Sequence, residues 1–579
     1  MAPPAYGSRR RQDVTGLVAG LEPAQRAAVL ADDPVVCVLA GAGTGKTRVL
    51  TLRVARRVQD RSAHPTHVLV CTFSRKAADE LRDRLWTLGV GAELHAGTFH
   101  RTALRLIAQH RADHKEAPPT IADRRSLLAV ALGRGGPPEG SPSARRGGTQ
   151  AAHHRTPARV RTDLARLDAE IGWAKARLIG PAQYEEAARR AGRRSSVPAA
   201  RVAERYAHYE EIRRQRGALD LDDLLWHCGD LLEQDQPFAD AVRWWHRHVF
   251  VDEMQDLNEA QYRLLRLLVG DEPDLFVVGD PNQSVYGWNG ADPELLGRVT
   301  EEYAGTRVVR LDTNYRCSSQ VVTVASAALG RHDDPPPSAR RDGPLPTVTC
   351  LPTDAEEARW VARRVWLAHR PGRRWSSIAV LARTNAQLTR LTEALTAERV
   401  PHRFAGASLT PASDVTGADN DQRGAREKAA PDAEDDLDTD DTSEIDDGGD
   451  AVMLSTFHRA KGLEWRTVFV IGVSDGLVPL VTARSKAAQD EERRLFYVAL
   501  TRAEDELACS WALHADDDTA LPASSARRPS PWLAAVERTL EEMRAGSQDA
   551  GPARAASQLD RIRAFLPPIG ASRSTGGMR

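Results

Sequence analysis

The sequence predicts an α/β fold with two parallel sheets, the first of them interrupted by a mostly helical insertion. Short apolar segments rich in Val recur along the chain, and stretches with helical periodicity fill much of the sequence between them. Such alternation is typical of a parallel sheet covered by helices. The apolar segments form two groups, before and after about residue 305, which indicates one sheet for each group.

Six segments are predicted to be buried parallel strands, because they are apolar and bounded by polar, Gly or helical sequence. They are Val35–Leu39, Val68–Phe73, Val249–Val251, Leu275–Val278, Ile378–Leu381 and Val468–Ile471. Helical spacing predicts helices over Ala77–Leu88, Leu495–Thr501 and Trp532–Met543, and a largely helical block over Arg161–Leu232.

Changes in composition divide the chain into segments. We expect a flexible N-terminus (1–20), a first sheet domain (21–101 and 233–304), a helical insertion (102–232) with a disordered loop near 133–158, a second sheet domain (305–406 and 451–515), an acidic disordered linker (407–450), and a short helix with a flexible tail (516–579).

Composition excludes a wholly disordered or fibrous chain. The net charge, which is close to zero, conceals one strongly acidic segment. The 579 residues carry a formal net charge of -1, but eleven of the nineteen residues Asp432–Asp450 are acidic, which leaves +10 for the rest. A basic body indicates a polyanionic partner, although an Arg-rich surface without such a partner explains the charge equally well.

Cysteine usage and hydropathy indicate the compartment. The six cysteines show no CxxC spacing, which fits a reducing environment and provides no zinc framework. No apolar stretch approaches the ~20 residues of a membrane span, and no secretory signal is evident. We therefore expect a cytoplasmic protein without a membrane partner.

The strongest local signal is a glycine-rich turn between a strand and a helix. It reads as a P-loop with Ala in place of the first Gly, and its glycines let backbone N–H groups converge on a phosphate. Lys46 is predicted to reach the terminal phosphates of a nucleotide, and the Thr47 hydroxyl to bind Mg²⁺. The predicted nucleotide-binding residues here are Ala40, Gly41, Ala42, Gly43, Thr44, Gly45, Lys46, Thr47 and Arg48.

Two carboxylates follow the strand Val249–Val251, at the strand end where α/β sites lie. Asp252 is predicted to hold Mg²⁺ through water, and Glu253 to orient and deprotonate an attacking water. Such a pair alone is more often a cap or a surface feature; together with the P-loop it indicates a nucleotide hydrolase. The pair lies about 200 residues from Lys46, so insertions must interrupt this sheet.

Later segments continue the pattern in a fixed order: Asp252–Asp256, Gly279–Gly290, Asn314–Arg316, Thr456–Glu464 and Tyr497–Ala503. In this order they closely resemble the motif series of the UvrD/Rep/PcrA family of superfamily 1 DNA helicases. Two earlier segments, Thr72–Ala78 and Gly97–His100, match the family's DNA-contact motifs, and Leu21–Val29 resembles its adenine-reading motif. The resemblance implies two RecA-like domains that use ATP and Mg²⁺.

The resemblance also implies roles around the nucleotide. Gln25 would read the adenine edge, Tyr315 would stack on the base and Glu464 would hold the ribose. Gln283 would sense the γ-phosphate. Arg316 and Arg502 would act as arginine fingers from the second domain, so the implied catalytic residues are Lys46, Glu253, Gln283, Arg316 and Arg502.

For DNA, the resemblance implies 3′→5′ movement on single strands and contact with single-strand/duplex junctions. Phe73, Tyr286 and Trp288 would stack on bases, which is a sequence-tolerant contact. Core packing is the ordinary alternative for any one aromatic. The other residues implied to line the strand path are His100, Arg383 and His458.

The sequence departs from the family between the two parts of the second domain. Only 46 residues, 407–452, stand where family members usually insert a helical 2B subdomain. One hypothesis is therefore a helicase, and a second is a translocating or protein-stripping ATPase that unwinds only with a protein partner. Glu170–Leu225 and Trp288–Asp292 are similar to the actinobacterial second-type UvrD proteins, whose C-terminal tetracysteine and HRDC extension we do not expect here.

Overall fold

The computed structural model describes residues 14–91, 93–132, 158–193, 195–331, 334–405, 449–515 and 526–545. The predicted loop near 133–158, nearly all of the acidic linker and most of the predicted N-terminal and C-terminal flexible segments lie outside these residues. None of the helices in the described ranges is long and apolar enough to cross a membrane.

The described residues form fourteen strands, and all six predicted strands are present with ends shifted by one to three residues. The strands are β1 (Val35–Ala40), β2 (Val68–Thr72), β3 (His95–Thr98), β4 (Thr120–Ile121), β5 (Ala218–Leu219), β6 (His248–Val251), β7 (Leu275–Gly279), β8 (Arg307–Leu311), β9 (Thr347–Thr353), β10 (Ile378–Ala382), β11 (His402–Phe404), β12 (Val452–Thr456), β13 (Trp465–Val470) and β14 (Ala503–His514).

Two six-stranded sheets organise the molecule, in the orders β3-β2-β6-β7-β1-β8 and β11-β12-β10-β13-β14-β9. Neighbouring strands within both sheets are parallel. In the first sheet the adjacent strands β6, β7 and β1 end at the same edge, so the loops that follow them meet there.

The boundary expected at residue 305 is wrong by one strand. Val36–Ala40 of β1 pair with Arg307–Leu311, so β8 is the edge strand of the first sheet. Two of the five β8 residues are buried and three are exposed, which is consistent with a strand that has a neighbour on one side only. The chain therefore passes to the second sheet after Leu311.

Helices cover both sheets. They are α1 (Val14–Val18), α2 (Pro23–Leu30), α3 (Lys46–Gln59), α4 (Arg75–Thr87), α5 (Phe99–Asp113), α6 (Arg124–Ala131), α7 (Ala158–Ala176), α8 (Tyr184–Arg190), α9 (Ala199–Gln215), α10 (Leu221–Gln234), α11 (Gln236–Trp245), α12 (Glu259–Val269), α13 (Glu294–Glu302), α14 (Ser319–Ala328), α15 (Asp354–Ala368), α16 (Asn385–Ala397) and α17 (Lys486–Leu500). A further helix, α18, spans 533–545.

The helical insertion is narrower than the expected range 102–232. Helices α6 to α9 pack around their own core, which includes Ile171 and Tyr206. Helices α5 and α10 instead bury Phe99 and Leu224 in the core of the first sheet domain. The insertion thus begins after α5 and ends before α10, because the apolar faces of these two helices are shared with the sheet.

Candidate functional site

The P-loop joins the end of β1 to the start of α3. Gly43 and Gly45 have φ of +69° and +86°, which side chains rarely adopt. A Cβ on Gly43 would also lie 2.7 Å from the Cβ of Arg316 and 2.9 Å from Asn314 Oδ1. Glycine at this position therefore lets the segment that links the two sheets pack directly on the loop.

The loop is held in shape from within. Thr44 Oγ1 donates to the Gly41 carbonyl at 2.9 Å, and the buried Gln25 amide donates to the Thr44 carbonyl at 2.9 Å. Arg48 lies on the first turn of α3. The amide of Gln25 thus lies beside the loop, although its nitrogen is committed to the loop backbone.

The residues around Lys46 fit a metal–triphosphate. The Lys46 ammonium is buried and has no hydrogen-bond partner among the residues that the structure describes, and buried polar groups are normally hydrogen-bonded, so its N–H groups are available to an acceptor such as a phosphate. Thr47 Oγ1 donates to Asp252 Oδ2 at 3.2 Å, which joins the two predicted magnesium ligands. Hydroxyl and carboxylate oxygens are the ligands that Mg²⁺ prefers.

Glu253 follows Asp252 in a left-handed backbone conformation, with φ of +53°. The buried Gln255 amide donates to a Glu253 carboxylate oxygen and accepts from Asp280 N, which fixes the carboxylate toward the edge of the sheet. Burial and the Glu253 charge raise the pKa of Asp252. Burial alone would raise the pKa of Glu253 too, but the nearby Lys46 and Lys461 ammonium groups lower it. Glu253 is therefore the carboxylate held ionised.

Tyr315 projects beside the P-loop. Its backbone N–H donates to the Gly43 carbonyl at 2.8 Å, and its hydroxyl donates to Glu22 Oε2 at 2.5 Å. Its side chain remains exposed. Asn314, whose amide donates to the Ala42 carbonyl at 2.7 Å, anchors the same segment. The exposed ring is thus held in a position to cover a planar group.

The two predicted arginine fingers lie near the first domain. Arg316 Nε pairs with Glu464 Oε2 at 2.5 Å, so Glu464 contacts an arginine in this state. Arg502 is buried and donates to the carbonyls of Val498 and Leu463. Burial and the neighbouring Arg316 charge lower the pKa of Arg502 to about 10. Both guanidinium groups are therefore held within the protein.

Lys461 crosses from the second domain to the first. Its ammonium donates to Asp256 Oδ2 and, at 2.7 Å, to the Gln283 carbonyl, and it lies 5.0 Å from the centre of the Tyr286 ring. The Gln283 amide donates to Asp280 Oδ2 at 2.7 Å. Gln283 is thus linked through its backbone to the second domain.

Helix α17 makes a second connection between the two domains. Glu491 Oε1 accepts from Gly287 N at 2.8 Å, and Arg494 Nε donates to the Ser284 carbonyl at 2.8 Å. The loop that carries Tyr286 and Trp288 therefore belongs to the first domain but is held by the second.

The three predicted base-stacking residues form a row. The Phe73 and Tyr286 rings stack with centroids 5.0 Å apart and planes 17° apart. Tyr286 meets Trp288 edge-on at 6.2 Å and 74°, and Trp288 is 39% exposed. Trp288 therefore presents an accessible aromatic face at one end of the row.

The remaining predicted DNA residues are an arginine that is paired with a carboxylate and two histidines whose pKa values are lowered. Burial lowers the pKa of His100, with Asp222 and Asp220 opposing that shift. Arg383 makes a bidentate ion pair with Glu492, its closest contact being 2.6 Å. Burial, Arg383 and Lys461 lower the pKa of His458 to about 3, so this imidazole is neutral near pH 7.

Comparison with known proteins identifies the family. Residues 21–304 match the family model of the UvrD/REP helicase N-terminal domain, and residues 309–408 and 433–514 match that of the UvrD-like helicase C-terminal domain. The chain belongs to the UvrD/Rep helicase family.

Individual relatives agree with this assignment. The chain is 34% identical over 597 residues to ATP-dependent DNA helicase UvrD2 of Mycobacterium tuberculosis (strain ATCC 25618 / H37Rv), covering 89% of this chain and 81% of that protein. It is 30% identical over 405 residues to DNA helicase II of Escherichia coli (strain K12), covering 68% of this chain and 52% of that protein. It is 29% identical to ATP-dependent DNA helicase PcrA of Leuconostoc citreum, with 68% and 51% covered.

Membership of the UvrD/Rep family confirms the resemblance and the fold of two RecA-like domains. The roles of individual residues stay predictions. Sequence reasoning assigned no role to Asn314, Lys461 or Glu491, although the first two stand inside the quoted motifs. Their contacts depend on how the two domains meet.

Proposed function

We propose that this protein is an ATP-dependent DNA helicase or translocase that moves 3′→5′ on single-stranded DNA. ATP hydrolysis between the two RecA-like domains would drive strand movement in DNA repair or replication, in the cytoplasm. The observation that carries the proposal is the convergence, on one glycine-rich loop between the two domains, of Glu253, the Arg316 side chain and a Lys46 ammonium that makes no hydrogen bond to a described residue.

The first domain supplies the hydrolytic groups. Lys46 and the P-loop backbone bind the phosphates, while Thr47 and Asp252 hold the metal. When bound, Mg²⁺ neutralises charge on the phosphate oxygens. Glu253 orients the attacking water and takes its proton, because its carboxylate is ionised and fixed by Gln255.

The second domain supplies positive charge and the response to the nucleotide. Arg316 exchanges Glu464 for phosphate oxygens when ATP binds, and Arg502 reinforces the local positive field from its buried position. A positively charged finger of this kind contributes about 10³–10⁵ in rate in phosphoryl transfer. Closure and relaxation then alternate with each hydrolytic cycle.

Gln283 and Lys461 are the link from ATP to DNA. Gln283 follows β7 and precedes the loop that carries Tyr286 and Trp288. Its side-chain amide bonds to Asp280, and its backbone carbonyl accepts a hydrogen bond from Lys461. A shift of the second domain therefore moves the aromatic row. Bases stacked on that row would gain about 1–3 kcal/mol each, independent of sequence.

A strand-separation assay on tailed duplexes tests direction and unwinding together. We expect ATP-dependent separation of a duplex with a 3′ tail and little with a 5′ tail, with Glu253→Gln as the inactive control. Preference for the 5′ tail would overturn the proposed polarity.

A second candidate is a single-strand-stimulated ATPase that translocates or strips proteins and unwinds only with a partner engaging the duplex. The short span 407–452 favours it, because opening DNA costs about 1.4 kcal/mol per base-pair step and needs a separating element. Rapid unwinding by the isolated protein would eliminate this candidate. ATPase stimulation without strand separation would support it.

A further inference from the structure

A group of metal-ligand side chains lies away from the nucleotide cleft. His110 lies on the last turn of α5, His114 caps the same helix, and Asp235 stands between α10 and α11. A ring nitrogen of each histidine and a carboxylate oxygen of Asp235 all lie within 4.8 Å of one another. Nothing in the proposed ATPase mechanism uses these residues.

The Asp235 carboxylate is already oriented. One oxygen, Oδ1, accepts from Phe238 N at 3.0 Å as the N-cap of α11, and the other, Oδ2, lies 3.3 Å from His110 Nε2. That separation is long for a hydrogen bond. It matches the roughly 3.3 Å between two ligands of a tetrahedral Zn²⁺ whose bonds are about 2.0–2.1 Å.

His114 is held in the tautomer that a metal needs. Its Nδ1 lies 2.8 Å from the His110 carbonyl oxygen. A carbonyl only accepts, so Nδ1 carries the proton and the Nε2 lone pair is left for a ligand bond. Histidines that bind metals typically donate their other ring N–H in this way.

The backbone around these residues carries partial charges of both signs. Helix α5 ends at Asp113 and α10 ends at Gln234, whereas α11 begins at Gln236. The carbonyl groups at the two C-terminal ends carry partial negative charge, and the N–H groups at the start of α11 carry partial positive charge. The Asp235 carboxylate therefore supplies the negative charge that a cation needs here.

We propose that His110, His114 and Asp235 bind a divalent transition metal, with Zn²⁺ the best fit and water in the fourth position. Two imidazoles select Zn²⁺ and its neighbours over Mg²⁺, so the site is chemically separate from the magnesium site of the ATPase. The metal ties the end of α5 to the α10–α11 junction. His100 stands at the other end of α5, about 15 Å away along the helix, so the metal braces a helix that begins at the predicted DNA path.

Cobalt titration of the metal-free full-length chain tests the site, because tetrahedral Co²⁺ absorbs visibly and Zn²⁺ displaces it. The variants are His114→Ala, which removes an exposed ligand, and Asp235→Asn, which keeps an N-cap. His208→Ala, an exposed histidine on α9, is the matched control. We expect the wild type to bind one Co²⁺ that Zn²⁺ displaces.

The two site variants should bind Co²⁺ at least about tenfold more weakly, whereas His208→Ala should stay within about twofold of the wild type. Co²⁺ absorption that is absent from the wild type, or that is unchanged in His114→Ala, overturns the proposal. In the latter case the metal is held elsewhere on the chain.

Discussion

Removing the charge of Lys461 tests whether the two domains are coupled through this side chain. Lys461→Met keeps the length of the side chain but removes its bonds to Asp256 Oδ2 and the Gln283 carbonyl. Asp256 is fully buried, and burial already raises the pKa of this carboxyl to about 7 despite the opposing Lys461 charge. Without Lys461, the carboxyl loses its counter-ion in the closed arrangement, so it must either stay charged without a partner or take up a proton.

The magnitude follows from the burial of both groups. Removing one partner of a buried ion pair typically costs 3–5 kcal/mol, and protonation of a carboxyl whose pKa is already about 7 places this pair at the low end of that range. The pair joins two domains, so much of this cost falls on closure of the cleft. If losing the pair costs about 3 kcal/mol, the ratio of closed to open protein falls roughly 150-fold.

The assay is steady-state ATP hydrolysis in saturating single-stranded DNA. We expect kcat/KM to fall by about two orders of magnitude in Lys461→Met. Asp256→Asn is the companion variant, because adding it to Lys461→Met removes the buried carboxyl that lost its partner. The double variant should have a kcat/KM at least about tenfold higher than that of Lys461→Met. A single-variant loss below threefold, or no recovery in the double variant, would refute this account of the coupling.

Three further predictions concern DNA affinity, chemistry and acid stability. Trp288→Ala should weaken single-stranded DNA binding by about 1–3 kcal/mol in fluorescence anisotropy, while Trp366→Ala, an exposed Trp on α15, should not. Glu253→Gln should abolish turnover yet leave binding of a fluorescent ATP analogue largely intact. His246 accepts from Arg105, and burial followed by the Arg105 charge lowers its pKa to about 3. Its contribution to the free energy of unfolding is therefore complete above pH 6.5 and is lost as the pH falls below that value, by about 2 kcal/mol at pH 5. In urea unfolding at pH 7 and pH 5, the drop in the free energy of unfolding should be about 2 kcal/mol smaller for His246→Gln than for the wild type. An equal drop in both proteins would contradict the assignment.

The interior of the fold could be predicted from the sequence, whereas its edges could not. Central strands such as β1 and β10 are continuous apolar runs because both faces are buried. Edge strands have no such signature: β8 reads Arg-Val-Val-Arg-Leu, with two charged residues in five, and β9 is partly exposed throughout. Placing the domain boundary at 305 failed for that reason, since β8 is recognisable only from its pairing with β1.

The candidate site likewise contains residues that local sequence reveals and contacts that it does not. Lys46, Thr47, Asp252 and Glu253 belong to two local motifs, so spacing and residue type suffice to find them. The contact of Lys461 with Asp256 joins residues 205 positions apart, and no local pattern encodes it.

The central claim is that both domains act on one triphosphate, and the rate of ATP hydrolysis in Arg316→Ala tests it most directly. The wild type should hydrolyse ATP faster with single-stranded DNA than without it. Arg316→Ala should bind ATP but lose about 10³-fold or more of the DNA-stimulated rate. A folded wild type that ignores DNA, or an Arg316→Ala variant within tenfold of the wild-type rate, would contradict the claim.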